Sequence, residues 1–291
     1  MTVSKRIAKL AVSFLYYAWL WLGRLFLRAE VRCVVLYYHA FPPESAASFA
    51  RQLDLLKRLA VTVPAGGSTP DRPGLYAAIT FDDGFQNLVD VALPELKKRD
   101  IHSTIFMIAD GFGKCLDWSA EFYDHYRTQR LMSEETLRSL ASDLVAVGSH
   151  TLTHPMLTRL SPKGAEIEIR ESKRRLEKIL GRDVDLFSFP HGDYNESTVR
   201  MCRDAGYTRV FTTNPSFTRL DSDEFVIGRV TVEPADWPLE FSLKVRGAYS
   251  WFPKAQFLMR KLPGRRAASL PAQLAVPTTA DHATPGNSDH P

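Results

Sequence analysis

Two adjacent carboxylates and two histidines four residues apart form the arrangement in this chain best suited to chemistry. Asp82 and Asp83 stand side by side and are followed by Gly84. Neighbouring carboxylates repel each other unless a proton or a cation separates their roles, so one can ligate a metal while the other stays free as a base. His150 and His154, within Ser149-His150-Thr151-Leu152-Thr153-His154-Pro155, can present both imidazoles to one ion. Two histidines plus one carboxylate leave positions open for water and substrate, which a catalytic metal needs and a structural one does not. An Asp-Asp-Gly run by itself is more often a turn, and an HxxxH pair by itself is often a surface pair. Their joint occurrence, each at the end of an apolar run, points to a metal hydrolase. Thiolate chemistry is not indicated. Cys33, Cys115 and Cys202 lie far apart with no CxxC and read as buried small apolar residues.

The elements that must position these groups follow from the hydrophobic pattern. Apolar runs at 33–38, 77–81, 104–109, 144–147, 186–189, 209–212 and 226–230 read as buried strands. Amphipathic stretches at 46–60, 85–99, 134–141, 161–180 and 196–205 read as helices, with Ser133 as a start signal and Gly181 as a C-terminal cap. Strand and helix alternating about seven times predicts a parallel α/β layout, and barrel closure would gather functional residues at the C-terminal strand ends. The unusual polar clusters obey that rule. His39 follows the first run, Asp82-Asp83 the second, Ser149-His150 the fourth and Pro190-His191-Gly192-Asp193 the fifth.

The chain has 291 residues, 45% hydrophobic and 24% charged, which excludes a disordered, collagenous or disulfide-dense protein. Its net charge of +4 is unevenly spread. Residues 1–32 carry Lys5, Arg6, Lys9, Arg24, Arg28 and Arg32 against Glu30, a balance of +5. Residues 253–291 carry +3, which leaves −4 for residues 33–252. A nucleic-acid surface on the folded part is therefore excluded as a reading, and an anionic membrane surface at the ends is favoured. Residues 10–22 are uncharged and rich in Trp and Tyr; thirteen residues reach about 20 Å, short of the roughly 30 Å hydrocarbon core. Residues 1–32 are thus expected to be a membrane anchor, interfacial or short-spanning, with an export signal or a helix packed on its own domain as alternatives. The expected location is the cell inner membrane, or outside the cell if the segment is an export signal. Residues 33–252 are the expected catalytic domain. Residues 253–291 read as a basic stretch followed by a disordered tail rich in Pro, Ala, Ser and Thr.

The motifs taken together resemble the polysaccharide deacetylase family, the NodB-homology or carbohydrate esterase family 4 hydrolases. The resemblance rests on Thr80-Phe81-Asp82-Asp83-Gly84, on Ser149 to Pro155, and on Phe187-Ser188-Phe189-Pro190-His191-Gly192, and spans about residues 33–240. The opening Val35-Leu36-Tyr37-Tyr38-His39 is similar to the subgroup acting on exopolysaccharides, in which the last histidine motif is permuted to the first strand. The resemblance implies an irregular (β/α) barrel of about seven parallel strands that removes an acyl group, usually acetyl, from an amino sugar. It implies that Asp83, His150 and His154 bind one divalent metal, Zn2+ first, with Co2+, Ni2+, Mn2+ or Fe2+ compatible with the same donors. It also implies that Asp82 is the base acting on metal-activated water and that His39 protonates the leaving amine. Pro190, His191 and Gly192 would help hold the oxyanion. In Asp236-Trp237 the indole would wall the acyl pocket and the carboxylate would orient a catalytic side chain.

Two departures stand out. The family's RxPxG motif has Arg two residues before Pro, where this chain has Ser188, and the aromatic after Pro is His191. Loss of that Arg removes the group expected to orient Asp82. No LxH motif follows Trp237 before the tail, so proton donation rests on His39. The expected substrate is an N-acetylated saccharide, in a polysaccharide or a lipid-linked precursor. Two alternatives are a deformylase or deacetylase of another small amide and a noncatalytic glycan-binding scaffold, the latter favoured by Ser188.

Overall fold

The computed structural model describes residues 3–24, 30–115, 129–140, 144–221 and 223–251. Among the described residues there are eight strands: β1 (Val31–Tyr38), β2 (Val61–Thr62), β3 (Gly74–Phe81), β4 (Ser103–Met107), β5 (Val145–Ser149), β6 (Leu186–Ser188), β7 (Arg209–Thr212) and β8 (Val226–Thr231). The helices are α1 (Val3–Arg24), α2 (Ala46–Leu59), α3 (Leu93–Lys97), α4 (Glu134–Leu140), α5 (Pro162–Leu180), α6 (Glu196–Asp204) and α7 (Pro238–Val245). All strand pairings are parallel in the order β1-β8-β7-β6-β5-β4-β3, and β1 also pairs with β3, so seven strands close on themselves. The short β2 is a branch on β3 at Tyr76 and Ala77, below the point where β4 joins. The barrel predicted from the alternation is the barrel observed.

Period-2 alternation sorts the strand residues into two cores. Val34, Leu36, Ala77, Ile79, Phe81 and Val210 point outward under the helices. Val35, Tyr76, Ala78, Phe106, Phe211 and Ile227 fill the barrel interior. The helices carry the caps their sequences promise. Ser161 Oγ accepts from Gly164 N with Pro162 in the first turn, and α5 ends at Gly181 in the left-handed conformation (φ 66°). Asn195 and Thr198 form a capping box on α6, and Ser133 Oγ accepts from Thr136 N ahead of α4.

The structure adds to and corrects the sequence reading. β2 and α7 were not foreseen. The helix expected at 85–99 opens with a π turn at Leu88–Ala92 before α3. Cys33 and Cys202 are buried as expected, whereas Cys115 is exposed. No described helix is long and apolar enough to cross a membrane. The helix α1 packs on α7 and on Trp251 beyond it: Arg6 Nε donates to Glu240 Oε2 at 2.8 Å, and Trp251 Nε1 donates to Ser13 Oγ at 3.0 Å. The tail expected over 253–291 lies outside the described residues.

Candidate metal centre

The site is assembled where the strands end. β3 runs directly into Asp82 and Asp83, β5 into His150, and β6 into Phe189 and Pro190. Backbone bonds lock these exits together. Asp82 N donates to Tyr38 O at 2.9 Å, His150 N to Met107 O at 2.8 Å and Met132 N to Gly84 O at 3.0 Å. Aiming the side chains inward strains the backbone. Of six non-glycine residues with positive φ among those described, four belong to the site: Asp83 (71°), Thr151 (67°), His154 (66°) and His191 (59°). Left-handed conformations at non-glycine residues persist only where surrounding bonds over-determine them. Here Glu168 of α5 supplies such bonds. Its Oε2 accepts from Leu152 N and Thr153 N, both at 2.9 Å, and its Oε1 from Thr153 Oγ1 at 2.7 Å. The loop between the two histidines is thereby tied to a helix.

Asp83, His150 and His154 bring one ligand atom each to within 4.8 Å of one another. His150 Nε2 and His154 Nε2 lie 3.5 and 3.4 Å from Asp83 Oδ1, and neither is hydrogen-bonded to it. Both Asp83 oxygens are buried and make no hydrogen bond. A buried carboxylate without partners is expensive unless a cation meets it. Burial pushes the Asp83 carboxyl well above its usual range, and the Asp82 charge adds to that push. Burial likewise lowers the His150 imidazole to about 4 and holds His154 well below the usual imidazole value, so both are neutral and offer lone pairs. His150 Nδ1 sits 2.8 Å from Ser188 O, which fixes the ring with Nε2 toward Asp83. The donor set, its orphaned carboxylate and its neutral imidazoles fit a divalent cation.

Asp82 has a different environment. Burial acts to raise its carboxyl, but the Arg229 charge and hydrogen bonds outweigh it and hold the group below its ordinary value. Arg229, on β8 and wholly buried, donates from Nη1 to Asp82 Oδ1 at 2.7 Å and from Nη2 to Oδ2 at 2.8 Å. Its remaining bonds reach Thr80 Oγ1, Ser188 Oγ and Thr212 O, and its plane lies over the Tyr37 ring at 4.6 Å. Ser188 is therefore the small acceptor that lets a guanidinium arrive from another strand. The arginine missing two residues before Pro190 is replaced across the barrel.

The other anticipated residues sort as follows. His39 is half-buried, 5.6 Å edge-on from the Tyr37 ring, and lies within electrostatic reach of Asp82, His150 and His154. His191 packs its ring 4.5 Å from that of His154. Pro190 and Gly192 lie in the same tight turn, where Gly192 N donates to Phe189 O at 3.0 Å. Asp236 and Trp237 form the turn before α7. The Asp236 carboxylate accepts from Lys244 Nζ at 2.6 Å and Glu233 N at 3.1 Å, and Arg6 of α1 lies over the Trp237 ring at 4.5 Å. Tyr38 is buried with its hydroxyl on Gln52 Oε1 and serves packing. Arg229 and Glu168 were missed. The cue for Arg229 is a lone charge inside the apolar run Val226–Thr231, and Glu168 carries no comparable cue.

Comparison with known proteins gives the family. The polysaccharide deacetylase family profile matches residues 69–210. YxkH of Bacillus subtilis, whose name assigns it provisionally as a polysaccharide deacetylase, is 31% identical over 156 residues, 54% of this chain and 51% of the relative. The poly-β-1,6-N-acetyl-D-glucosamine N-deacetylase of Staphylococcus epidermidis is 25% identical over 163 residues, 53% of each chain. Among solved structures, IcaB from Ammonifex degensii superposes with a TM-score of 0.64 at 27% identity, covering 74% of this chain and 98% of that one. This chain spans about half the length of the two relatives named here.

Proposed function

From a chain whose residues 69–210 are a polysaccharide deacetylase family domain, we propose an enzyme that hydrolyses the N-acetyl amide of an amino sugar. The observation that carries this reading is the unequal pair of carboxylates. Asp83 is buried without a partner between two neutral histidines, while Asp82, next in sequence, is held ionised by Arg229. A structural metal site has no use for the second carboxylate.

Asp83, His150 and His154 would hold a divalent ion, for which we propose Zn2+. Such an ion supplies Lewis acidity toward the amide oxygen and an attacking water. Asp82 accepts the proton of that water, a task for which its ionised state and its fixed position under Arg229 suit it. His39 gives a proton to the departing amine nitrogen, so that the amino sugar leaves neutral rather than as an amide anion. The turn at Pro190, His191 and Gly192 faces the developing oxyanion. The indole of Trp237, with Asp236 ion-paired behind it, is assigned to the rim where the acyl group enters. The scaffold alternative drew its support from Ser188, and the guanidinium whose absence it relied on is supplied by Arg229.

The test is acetate release from an N-acetylglucosamine oligomer by the full chain, stripped of metal and reloaded with Zn2+. The full chain is required because α1 is docked on α7. Metal-dependent release is expected, with Asp82→Asn reducing it by about 10^3-fold at unchanged metal content. Unchanged turnover in Asp82→Asn would exclude the assigned base. Stoichiometric metal without any release in the parent chain would move the reading to another amide or to the scaffold.

A further inference from the structure

Twelve large apolar side chains stand exposed among the described residues, and seven of them belong to α1. Val3, Ile7, Phe14, Leu15, Trp19 and Leu22 mark the stripe, with Leu15 and Trp19 exposed by 68% and 67%. At about 100° per residue the exposed apolar positions cover about half the helix circumference. The other half is engaged with the barrel. Arg6 reaches Glu240 and Ala235 O, Lys9 lies 5.1 Å from the Tyr249 ring centroid, and Leu10 and Tyr17 pack on Leu243, Ala248 and Tyr249. Two further exposed apolar residues, Trp237 and Leu239, adjoin the Arg6 end.

What covers this face is indicated by charge and by geometry. The N-terminal segment 1–32 carries +5 and residues 253–291 carry +3, against −4 for the rest. Two copies meeting through this face would bring like charges together, whereas anionic headgroups would complement them. No described helix is long and apolar enough to cross a membrane, and one face of α1 remains on α7 through the ion pair of Arg6 and Glu240. A helix with one apolar face, one docked face and basic flanks belongs in the plane of a lipid interface.

We propose that α1 lies flat in the headgroup region of an anionic lipid surface and carries the barrel there with its mouth beside the bilayer. The Arg6 end of α1 rests on the turn bearing Asp236 and Trp237, directly after β8, so the lipid-facing stripe starts at the turn assigned above to the acyl rim. This inference is independent of the reaction assigned above, because vesicle binding is read without turnover.

Flotation of the full chain with vesicles of equal phosphatidylcholine and phosphatidylglycerol tests it. The parent chain is expected to float with these vesicles and to bind pure phosphatidylcholine at least about tenfold more weakly. The double substitution Leu15→Gln with Trp19→Gln is expected to lower partitioning at least about tenfold, with unfolding temperature and acetate release from a soluble oligomer unchanged. A chain that stays in the soluble fraction, or a double variant that floats as well as its parent, overturns the proposal. So does a dimer in solution that the double substitution dissociates while vesicles bind nothing, because the face then belongs to a second copy.

Discussion

Two buried arginines on adjacent strands divide the barrel into an end that holds and an end that reacts. Arg209, at the start of β7, donates from Nη1 to Ala65 O and Gly67 O at 2.7 and 2.8 Å and from Nη2 to Leu220 O and Asp221 O, both at 3.1 Å. Its Nε has no partner, and burial lowers its pKa. Arg229, near the end of β8, uses every nitrogen and grips a carboxylate with both Nη atoms. The side chain is the same, and the partner decides its role. Carbonyl dipoles accept a guanidinium as a clip between loops. A carboxylate receives from it both an orientation and a charge that keeps it ionised.

Breaking the upper pair should have the largest effect. Arg229→Met leaves Asp82 buried without compensation, which costs about 3–5 kcal/mol and lets burial return the carboxyl to the protonated form. Deacetylation is expected to fall by at least about 100-fold with metal content retained. The sign of the pH effect follows from the depressed Asp82 pKa. In the parent chain the pair's contribution to stability is present above the ordinary carboxylate range and is lost as pH falls through the folded value. In the variant that contribution is gone and the acid limb of kcat/KM moves upward. Arg229→Lys keeps the charge without the fork and should fall between the two. A variant that loses stability but keeps both kcat/KM and its pH profile would reduce Arg229 to packing.

The lower clip should behave oppositely. Arg209→Met leaves four loop carbonyls without their donor, a destabilisation of about 2–4 kcal/mol, visible as a lower unfolding temperature. Turnover per folded molecule is expected to stay within about twofold, because nothing in the lower clip touches Asp82 or the metal ligands. If instead kcat/KM collapses in a folded Arg209→Met protein, the two ends are mechanically coupled and the division fails.

The same contrast explains what the sequence could disclose. All seven barrel strands were legible because each is a short apolar run buried on both faces, and a closed parallel barrel demands such runs. Asp83, His150 and His154 were legible because their spacing is local. Arg229 was not, because the orienting guanidinium was sought two residues before Pro190, while it comes from a strand 147 residues beyond Asp82. That contact is a property of barrel closure, which no local motif records. Glu168 escaped for a related reason: on a helix as charged as α5, one glutamate looks like solvated surface until the loop it caps is placed beside it. The two-residue β2 is too short for any periodicity, and α7 offered only Pro238 in its first turn as a start signal.

Two glycines show the same division of the barrel at the smallest scale. Gly192, at the reacting end, has φ 67°, and a Cβ there would strike Thr213 Oγ1, a β-branched side chain with little freedom to yield. Gly181, at the holding end where α5 stops, has φ 66° and nothing within 4 Å of an added Cβ. Both positions impose the left-handed backbone penalty on alanine, about 1 kcal/mol. Only Gly192 adds overpacking, a further ~1–3 kcal/mol, and a shift of the turn proposed to face the amide. Gly181→Ala should therefore lower stability by about 1 kcal/mol and leave acetate release unchanged, while Gly192→Ala should lower both. Thermal unfolding and kcat/KM measured on the pair separate backbone strain from packing, because strain is common to the two sites. Equal losses of stability would mean that Thr213 moves aside freely, and the mouth would then be as yielding as an open helix end.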